Sequence, residues 1–167
     1  KKAAEILVEE YEGVMPKDYE AVLALPGIGS YTAGAVLSIA YEKCYPAVDG
    51  NVLRVLSRVT EDDRDILKQS VKKSVETELQ AVMPKDRPGA FNQALMELGA
   101  TVCVPNGQAR CEECPLKNLC RGHRDGIELE FPKKAAKKPR RVEERTVLVL
   151  LRGDDRAIRK RPPKGLL

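Results

Sequence analysis

The stretch "LPGIGSYTAGAVLSIA", residues 25–40, decides how this chain folds. Two glycines flank Ile28, and the apolar run that follows predicts a helix over residues 31–42. The segment "KDYEAVLAL" before it predicts a shorter helix, with Asp18 as its N-cap. Two interpretations of the glycine turn are open at this point. It is either a corner that ends one helix and starts the next, or a turn that aims free N–H groups at a phosphate.

Most of the remaining sequence ahead of the cysteine-rich region also has helical periodicity. Residues 1–12 read as an amphipathic helix, and "NVLRVLSRV" predicts another over 51–59. Apolar spacing predicts a long helix over 64–83, and a further helix over 86–103 opens at Pro88. The sequence therefore predicts a mainly α-helical body.

Composition sets only broad limits on function. The chain has 167 residues and a net charge of +4, which suits a nucleic-acid partner but is shared by many unrelated proteins. No run of eighteen apolar residues occurs, so we expect no membrane span. The sequence starts in helical period without Met and stops without a cap, and we expect both ends to be cuts in a longer protein.

The composition changes after the cysteine-rich region. We predict a partial helical domain over 1–127, a basic linker over 128–143, and the first hairpin of a truncated β-rich domain over 144–167. The linker contains "FPKKAAKKPRR", with six basic residues in eleven positions. A solvated linker and a DNA contact are equally compatible with that run.

Four of the five cysteines lie close together in the sequence. Cys103, Cys111, Cys114 and Cys120 are separated by seven, two and five residues. Four thiolates at such spacing suit either Zn²⁺ or a [4Fe–4S] cluster. One tight pair flanked by two single cysteines is the poorer pattern for Zn²⁺. Cys44 is interpreted as a buried thiol and His123 as a solvated side chain, not as ligands.

Asp49 stands in "VDGNV", directly before a predicted helix. Taken by itself, an Asp at this place is an ordinary N-cap. The local sequence favours this structural interpretation, and only a wider pattern can favour another.

That wider pattern is a family resemblance covering nearly the whole chain. "LPGIGSYTAGAVLSIA", "VDGNV" and the cysteine spacing resemble the helix-hairpin-helix base-excision DNA glycosylases, the superfamily of endonuclease III and the MutY-type adenine glycosylases. "RPGAFNQALMELGATVC" is similar to the MutY-type segment before the cluster, and "EERTVLVLL" to the opening of their Nudix-like domain. The first cysteine gap departs from the usual six, and "VPNGQAR" could absorb the extra residue in a looser turn.

The resemblance implies a fold and a set of site residues. The fold is mainly α, with a helix-hairpin-helix over about 18–42 and an iron–sulfur loop over 103–120. Asp49 would stand at the edge of the pocket for a flipped base, supported by Asn51. Tyr31 occupies the position where strand-cutting relatives place a nucleophilic Lys, which implies a monofunctional glycosylase. The DNA-binding turn would comprise Gly27, Ile28, Gly29 and Ser30, and the [4Fe–4S] ligands, with Zn²⁺ as the alternative, would be Cys103, Cys111, Cys114 and Cys120.

The implied activity is hydrolysis of the N-glycosidic bond of adenine mispaired with 8-oxoguanine or guanine in double-stranded DNA. The general-acid Glu of the family would precede Lys1, so we expect the chain alone to be inactive or nearly so. A thymine/uracil-mismatch glycosylase and a non-catalytic DNA-binding fragment are the alternatives. A monomer in the bacterial cytoplasm, associated with the nucleoid, is expected.

Overall fold

A computed structural model describes residues 1–136, 142–144, 146 and 149–158. It divides the chain into two compact units, Lys1–Ala135 and Ala136–Leu167. The first unit is helical, as expected. Within the described ranges, none of the helices has the length and apolar character needed to cross a bilayer.

The helical unit follows the predicted order of elements. Its α-helices are α1 Lys2–Tyr11, α2 Tyr19–Ala24, α3 Ser30–Tyr41, α4 Gly50–Thr60, α5 Gln69–Val82, α6 Pro88–Thr101 and the short α7 Arg121–Arg124. Single 3₁₀ turns at Cys111–Glu113, Lys117–Leu119 and Glu128–Glu130 shape the cysteine-rich region. The expected mainly α fold is confirmed.

The residues that were predicted to open helices do so. Asp18 caps α2, because its Oδ2 accepts a hydrogen bond from the Ala21 N–H at 3.0 Å. Pro88 is the first residue of α6, where its missing N–H costs nothing. These short-range signals fix where each helix starts.

Helix α5 is shorter than its periodicity predicts. The prediction started it at residue 64, whereas the helix begins at Gln69. Two contacts hold the preceding residues out of the helix: Asp65 Oδ1 accepts from the Leu67 N–H at 3.0 Å, and the Ile66 N–H donates to the distant Lys133 carbonyl at 3.2 Å. Leu67 is consequently 58% exposed and does not continue the apolar face of α5.

Two apolar clusters hold the helical unit together. The smaller one joins α2 to α3 and contains Val22, Ala33 and Leu37. The larger one lies among α4, α5 and α6 and contains Val48, Val52, Leu53, Val55, Val71, Val75, Leu79, Leu95 and Leu98. Helix α4 is therefore the central element onto which the neighbouring helices pack.

One buried amide ties the loop before α4 to the helices on either side of it. Asn92 of α6 is 1% exposed. Its Oδ1 accepts from the Ala47 N–H at 3.1 Å. Its Nδ2 donates to Ser38 Oγ at 2.7 Å and to the Tyr45 carbonyl at 2.9 Å. A single side chain therefore pairs the Ala47 N–H and the Tyr45 carbonyl in the loop that leads into α4.

The second unit contains the predicted β-hairpin. Strand β1 is Leu151–Arg152 and strand β2 is Asp155–Arg156, paired antiparallel with Leu151 opposite Arg156. The Gly-Asp dipeptide forms the two-residue connection, as its composition indicates. Residues 145, 147, 148 and 159–167 of the predicted Nudix-like segment, and 137–141 of the predicted linker, lie outside the described residues. The division at 127/128 stays a prediction.

Replacing Asn92 with Ala should destabilise the helical unit by about 2–4 kcal/mol, because it leaves a buried N–H and a buried carbonyl without partners. Urea denaturation followed by circular dichroism measures this. The matched control is Gln93→Ala, since Gln93 is exposed on the same helix. Equal midpoints for the two variants would show that Asn92 does not stabilise the loop.

Candidate functional site

The side chain of Asp49 is fixed at the start of α4. Its Oδ1 accepts from the Val52 N–H at 2.8 Å, so it is the N-cap of the helix. Its Oδ2 accepts from Asn51 Nδ2 at 3.0 Å. The residue is half-buried, with Ala47 and Val48 fully buried before it. The carboxylate is therefore held on both oxygens and still reaches the surface.

Behind Asp49, a guanidinium extends the hydrogen-bond network into the protein. Arg54 is 6% exposed. Its Nη2 donates to Asn51 Oδ1 at 3.0 Å and to the Gly99 carbonyl at 2.7 Å, and its Nε donates to the Cys103 carbonyl at 2.9 Å. Burial lowers the pKa of Arg54, because desolvation penalises its charge. The sequence analysis did not predict a role for Arg54. Its place one helical turn after Asn51 was the feature that could have indicated a contact between the two side chains.

Helices α4 and α6 touch at this network. A Cβ on Gly99 would lie 2.7 Å from Asn51 Cβ, closer than side-chain atoms approach one another. The absence of a side chain at Gly99 thus lets its carbonyl reach Arg54. The position of Asn51, and through it the Asp49 carboxylate, depends on this close approach.

The glycine turn between α2 and α3 leaves backbone N–H groups unpaired. Gly27 has a φ of +85°, a conformation that other residues adopt only with strain. Gly29 is the N-cap of α3 and gives no side-chain cap to the helix. Among the described residues, the N–H groups of Gly29 and Ser30 have no acceptor. Gly29 is exposed, and a Cβ there would meet nothing within 4 Å. The positive end of α3 is therefore open to solvent at Gly29.

The other two residues of the turn contribute in different ways. The Ile28 N–H donates to the Leu25 carbonyl at 3.1 Å, and its side chain packs against the α2–α3 cluster. The Ser30 hydroxyl donates to Glu76 Oε1 on α5 at 2.8 Å. Ile28 therefore anchors the turn, and the Ser30 backbone N–H stays unpaired while its hydroxyl is engaged within the protein.

Tyr31 lies in the first turn of α3, with its ring partly exposed. Its hydroxyl contacts Met96 Sδ of α6 at 3.7 Å. Within the described part of the chain it makes no hydrogen bond to Asp49 or Asn51. The structure thus joins Asp49 to Asn51 as predicted, whereas Tyr31 rests on α6 instead.

The four clustered cysteines line one pocket beside α4. They share it with Arg58, His123 and Glu128, among other side chains. Arg58 is 3% exposed; its Nη1 donates to Cys103 Sγ at 3.2 Å and to the Val104 carbonyl at 3.1 Å. Its Nε donates to the Phe131 carbonyl at 3.1 Å. A buried positive charge beside a thiol is suited to a thiolate-bound metal centre.

The spacing of the sulfur atoms bears on which metal the cysteines could hold. In a tetrahedral Zn²⁺ site with Zn–S bonds of about 2.3 Å, the thiolates lie roughly 3.8 Å apart. Among the described residues, the only three potential ligands with all donor atoms within 4.8 Å of one another are Cys111, His123 and Glu128. No three of the four cysteine sulfurs therefore lie all within 4.8 Å of one another, as ligands of one Zn²⁺ ion would.

The environment of Cys111 and Cys120 disfavours their thiolate forms in the metal-free protein. Burial raises the pKa of Cys111, and the nearby Glu128 carboxylate adds to that effect. Burial also raises the pKa of Cys120. Two basic side chains of this region form ion pairs within it: Arg110 pairs with Glu113 at 3.3 Å, and Lys117 pairs with Glu112.

Comparisons with known proteins identify the class. The helix-hairpin-helix motif matches residues 10–39. A structure of a thermostable thymine-DNA glycosylase superposes with a TM-score of 0.66 at 29% identity, covering 75% of this chain and 57% of that one. An endonuclease III trapped as a covalent intermediate on DNA gives a TM-score of 0.60, also at 29% identity, with the same coverage of both chains. The chain is therefore similar in fold and in sequence to the helix-hairpin-helix DNA glycosylases.

Sequence identity narrows the class further. Over 123 residues the chain is 46% identical to the adenine DNA glycosylase of Mus musculus, covering 73% of this chain and 24% of the mouse protein. The chain is a homologue of the adenine DNA glycosylases, as the sequence motifs indicated. It spans about a quarter of the length of this curated relative.

Replacing Gly99 with Ala should lower stability by about 1–3 kcal/mol, because the added methyl group forces α4 and α6 apart at Asn51. Thermal unfolding followed by circular dichroism measures the effect. Gly50→Ala adds the same methyl group in open space on α4 and is the matched control. An unchanged melting temperature for Gly99→Ala would mean that the two helices are not in tight contact here.

Proposed function

We propose that the full-length protein containing this chain is a monofunctional adenine DNA glycosylase. It would hydrolyse the N-glycosidic bond of adenine paired with 8-oxoguanine or guanine in double-stranded DNA. The observation that carries the proposal is the half-buried Asp49 carboxylate, fixed on both oxygens, in a chain 46% identical to an adenine DNA glycosylase.

Asp49 would act by electrostatic stabilisation or by covalent trapping. When the bond between base and sugar breaks, positive charge builds on the sugar ring. A carboxylate that is already oriented stabilises this charge without having to reorganise. Asn51 and the Val52 N–H hold the carboxylate oxygens, while Arg54 holds Asn51. These residues are positioning groups for the anion.

Tyr31 supports the monofunctional assignment. A Tyr hydroxyl cannot form a Schiff base with the sugar, which is the step that an amine nucleophile would add. Its hydroxyl rests on Met96, so the ring can shape one wall of the sugar site. Excision without strand cleavage is therefore the expected chemistry.

The α2–α3 turn would hold the DNA backbone. A phosphate oxygen can accept from the unpaired N–H groups of Gly29 and Ser30, at the positive end of α3. A Cβ at Gly29 would meet no protein atom. A side chain at this position would therefore interfere with a bound phosphate but not with the protein itself. Ile28 and Gly27 set the conformation of the turn.

The four cysteines would hold a [4Fe–4S] cluster. Their wide sulfur spacing and the buried Arg58 guanidinium beside Cys103 support this over Zn²⁺. When bound, the cluster would supply a structural cross-link between α6, the 3₁₀ turns and α7. The chain's own Arg58 and Arg54 would connect that cross-link to α4.

Two alternative functions, thymine or uracil excision and DNA binding without catalysis, can be distinguished from adenine excision by experiment. A thymine/uracil-mismatch glycosylase has support from the 29% identical thymine-DNA glycosylase structure, but the 46% identity to an adenine DNA glycosylase favours adenine. A DNA-binding fragment without catalysis would bind duplex and release no base. We expect the enzyme to act as a monomer where genomic DNA lies, in the cytoplasm of a bacterium in association with the nucleoid.

Asp49→Asn in the full-length protein should slow adenine release from an A·8-oxoguanine duplex by at least ~10²–10³-fold. Asn still caps a helix well, so the fold should persist. Single-turnover kinetics of base release measures the rate. Asp18→Asn changes the equivalent cap of α2 and should leave the rate unchanged. Equal rates for the Asp49 variant and the unsubstituted protein would remove Asp49 from the mechanism. Release of thymine or uracil instead of adenine would overturn the substrate assignment.

Gly29→Ala should weaken duplex binding about tenfold, because the methyl group would occupy the place of a phosphate oxygen. The melting temperature should stay the same, since nothing in the protein meets that methyl group. Ser30→Ala keeps the N–H and should bind nearly as tightly as the unsubstituted protein. Fluorescence anisotropy at several salt concentrations measures both variants. Unchanged affinity for Gly29→Ala, or binding insensitive to salt, would contradict a grip on the DNA backbone.

A further inference from the structure

We propose that the chain also forms a mononuclear metal site from Cys111, His123 and Glu128, which binds a divalent ion such as Zn²⁺ when no cluster occupies the four cysteines. The donor atoms of these three residues all lie within 4.8 Å of one another, and no other three potential ligands in the described ranges do so. This Cys-His-Glu site is a different ligand set from the four-cysteine set. It does not depend on base excision.

Three short elements bring the ligands of the Cys-His-Glu site together. Cys111 opens the 3₁₀ turn Cys111–Glu113, His123 lies in α7, and Glu128 opens the 3₁₀ turn Glu128–Glu130. The Ile127 N–H donates to the Gly122 carbonyl at 2.8 Å, which folds Glu128 back beside α7. Cys111 Sγ then lies 4.0 Å from Glu128 Oε1. The backbone of this region thus sets the approach of all three side chains.

The chemistry of the Cys-His-Glu site matches a Zn²⁺ ion. A thiolate, an imidazole nitrogen and a carboxylate oxygen are all ordinary Zn²⁺ ligands, and three protein ligands leave a fourth position for water. The thiolate and the carboxylate together balance the charge of the ion. The His123 side chain is 26% exposed, so water can reach the site.

The surroundings of the site also favour a cation. Glu112 Oε1 lies 4.0 Å from His123 Nε2 and adds a negative charge beside the site. The nearest buried cation, Arg58, donates to Cys103 Sγ and to backbone carbonyls instead. The Lys117 ammonium is paired with Glu112. The Arg58 and Lys117 side chains thus have partners other than the three proposed ligands.

The two metal centres exclude one another, because both need Cys111. A single ion needs donors a few ångströms apart, which Cys111, His123 and Glu128 provide and the four sulfurs do not. A [4Fe–4S] cluster spans the wider spacing. His123, interpreted from the sequence as a solvated side chain, would be a ligand of this site. Zn²⁺ at the Cys-His-Glu site would therefore block cluster assembly.

The direct test is a titration of cluster-free protein with Co²⁺, followed by displacement with Zn²⁺. Tetrahedral Co²⁺ gives visible absorption bands, and the intensity of its sulfur-to-metal charge transfer reports the number of bound thiolates. We expect one thiolate per ion. His123→Gln and Glu128→Gln should each weaken binding at least tenfold. Cys103→Ser, outside the Cys-His-Glu site, and Glu130→Gln, exposed on the same 3₁₀ turn as Glu128, should leave binding unchanged.

A second measurement tests the mutual exclusion. Cluster reconstitution, followed by visible absorption, should be slowed by prior Zn²⁺ loading of the unsubstituted protein and not of the Glu128→Gln variant. Circular dichroism confirms that the variants are folded. Charge transfer from three or four thiolates with loss of binding in Cys103→Ser would place the ion among the cysteines and overturn the proposal. Absence of Co²⁺ binding, or reconstitution indifferent to Zn²⁺, would overturn it as well.

Discussion

The structure depends most on the way α4 begins. The Asp49 carboxylate accepts the Val52 N–H and the Asn51 amide, and Arg54 links Asn51 to the Gly99 and Cys103 carbonyls. A helix cap is ordinarily worth about 1 kcal/mol, but this cap also orients an anion at the surface. The same contacts that start the central helix therefore position the candidate catalytic group.

This arrangement connects the start of α4 to the cysteine-rich region. Arg54 and Arg58 lie one turn apart on α4 and both reach Cys103, one at its carbonyl and the other at its sulfur. Each guanidinium is buried, so removing its partners would leave an uncompensated charge. The same helix, α4, thus supports both the cysteine-rich loop and the position of Asp49. A change in that loop can therefore shift the Asp49 carboxylate, although the two are far apart in the sequence.

Local signals in the sequence predicted the helices. The features that the sequence did not predict depend on long-range contacts. Asp18, Asp49 and Pro88 start helices as expected because caps act over three residues. The start of α5 at Gln69, later than predicted, depends on contacts such as the Ile66–Lys133 hydrogen bond. The roles of Arg54 and Arg58 rest on partners 45 to 73 positions away. No spacing rule reveals such contacts, so the family motifs identified Asp49, Asn51 and the cysteines but not the side chains that hold them.

The most direct test is a crystal structure of the full-length protein on a duplex that carries a non-hydrolysable adenosine analogue opposite 8-oxoguanine. The account predicts that the carboxylate at the start of α4 contacts the everted sugar near its anomeric carbon, with a phosphate on the N–H groups at the start of α3. A complex in which that carboxylate faces no sugar, or in which the α2–α3 turn lies away from the backbone, would contradict it.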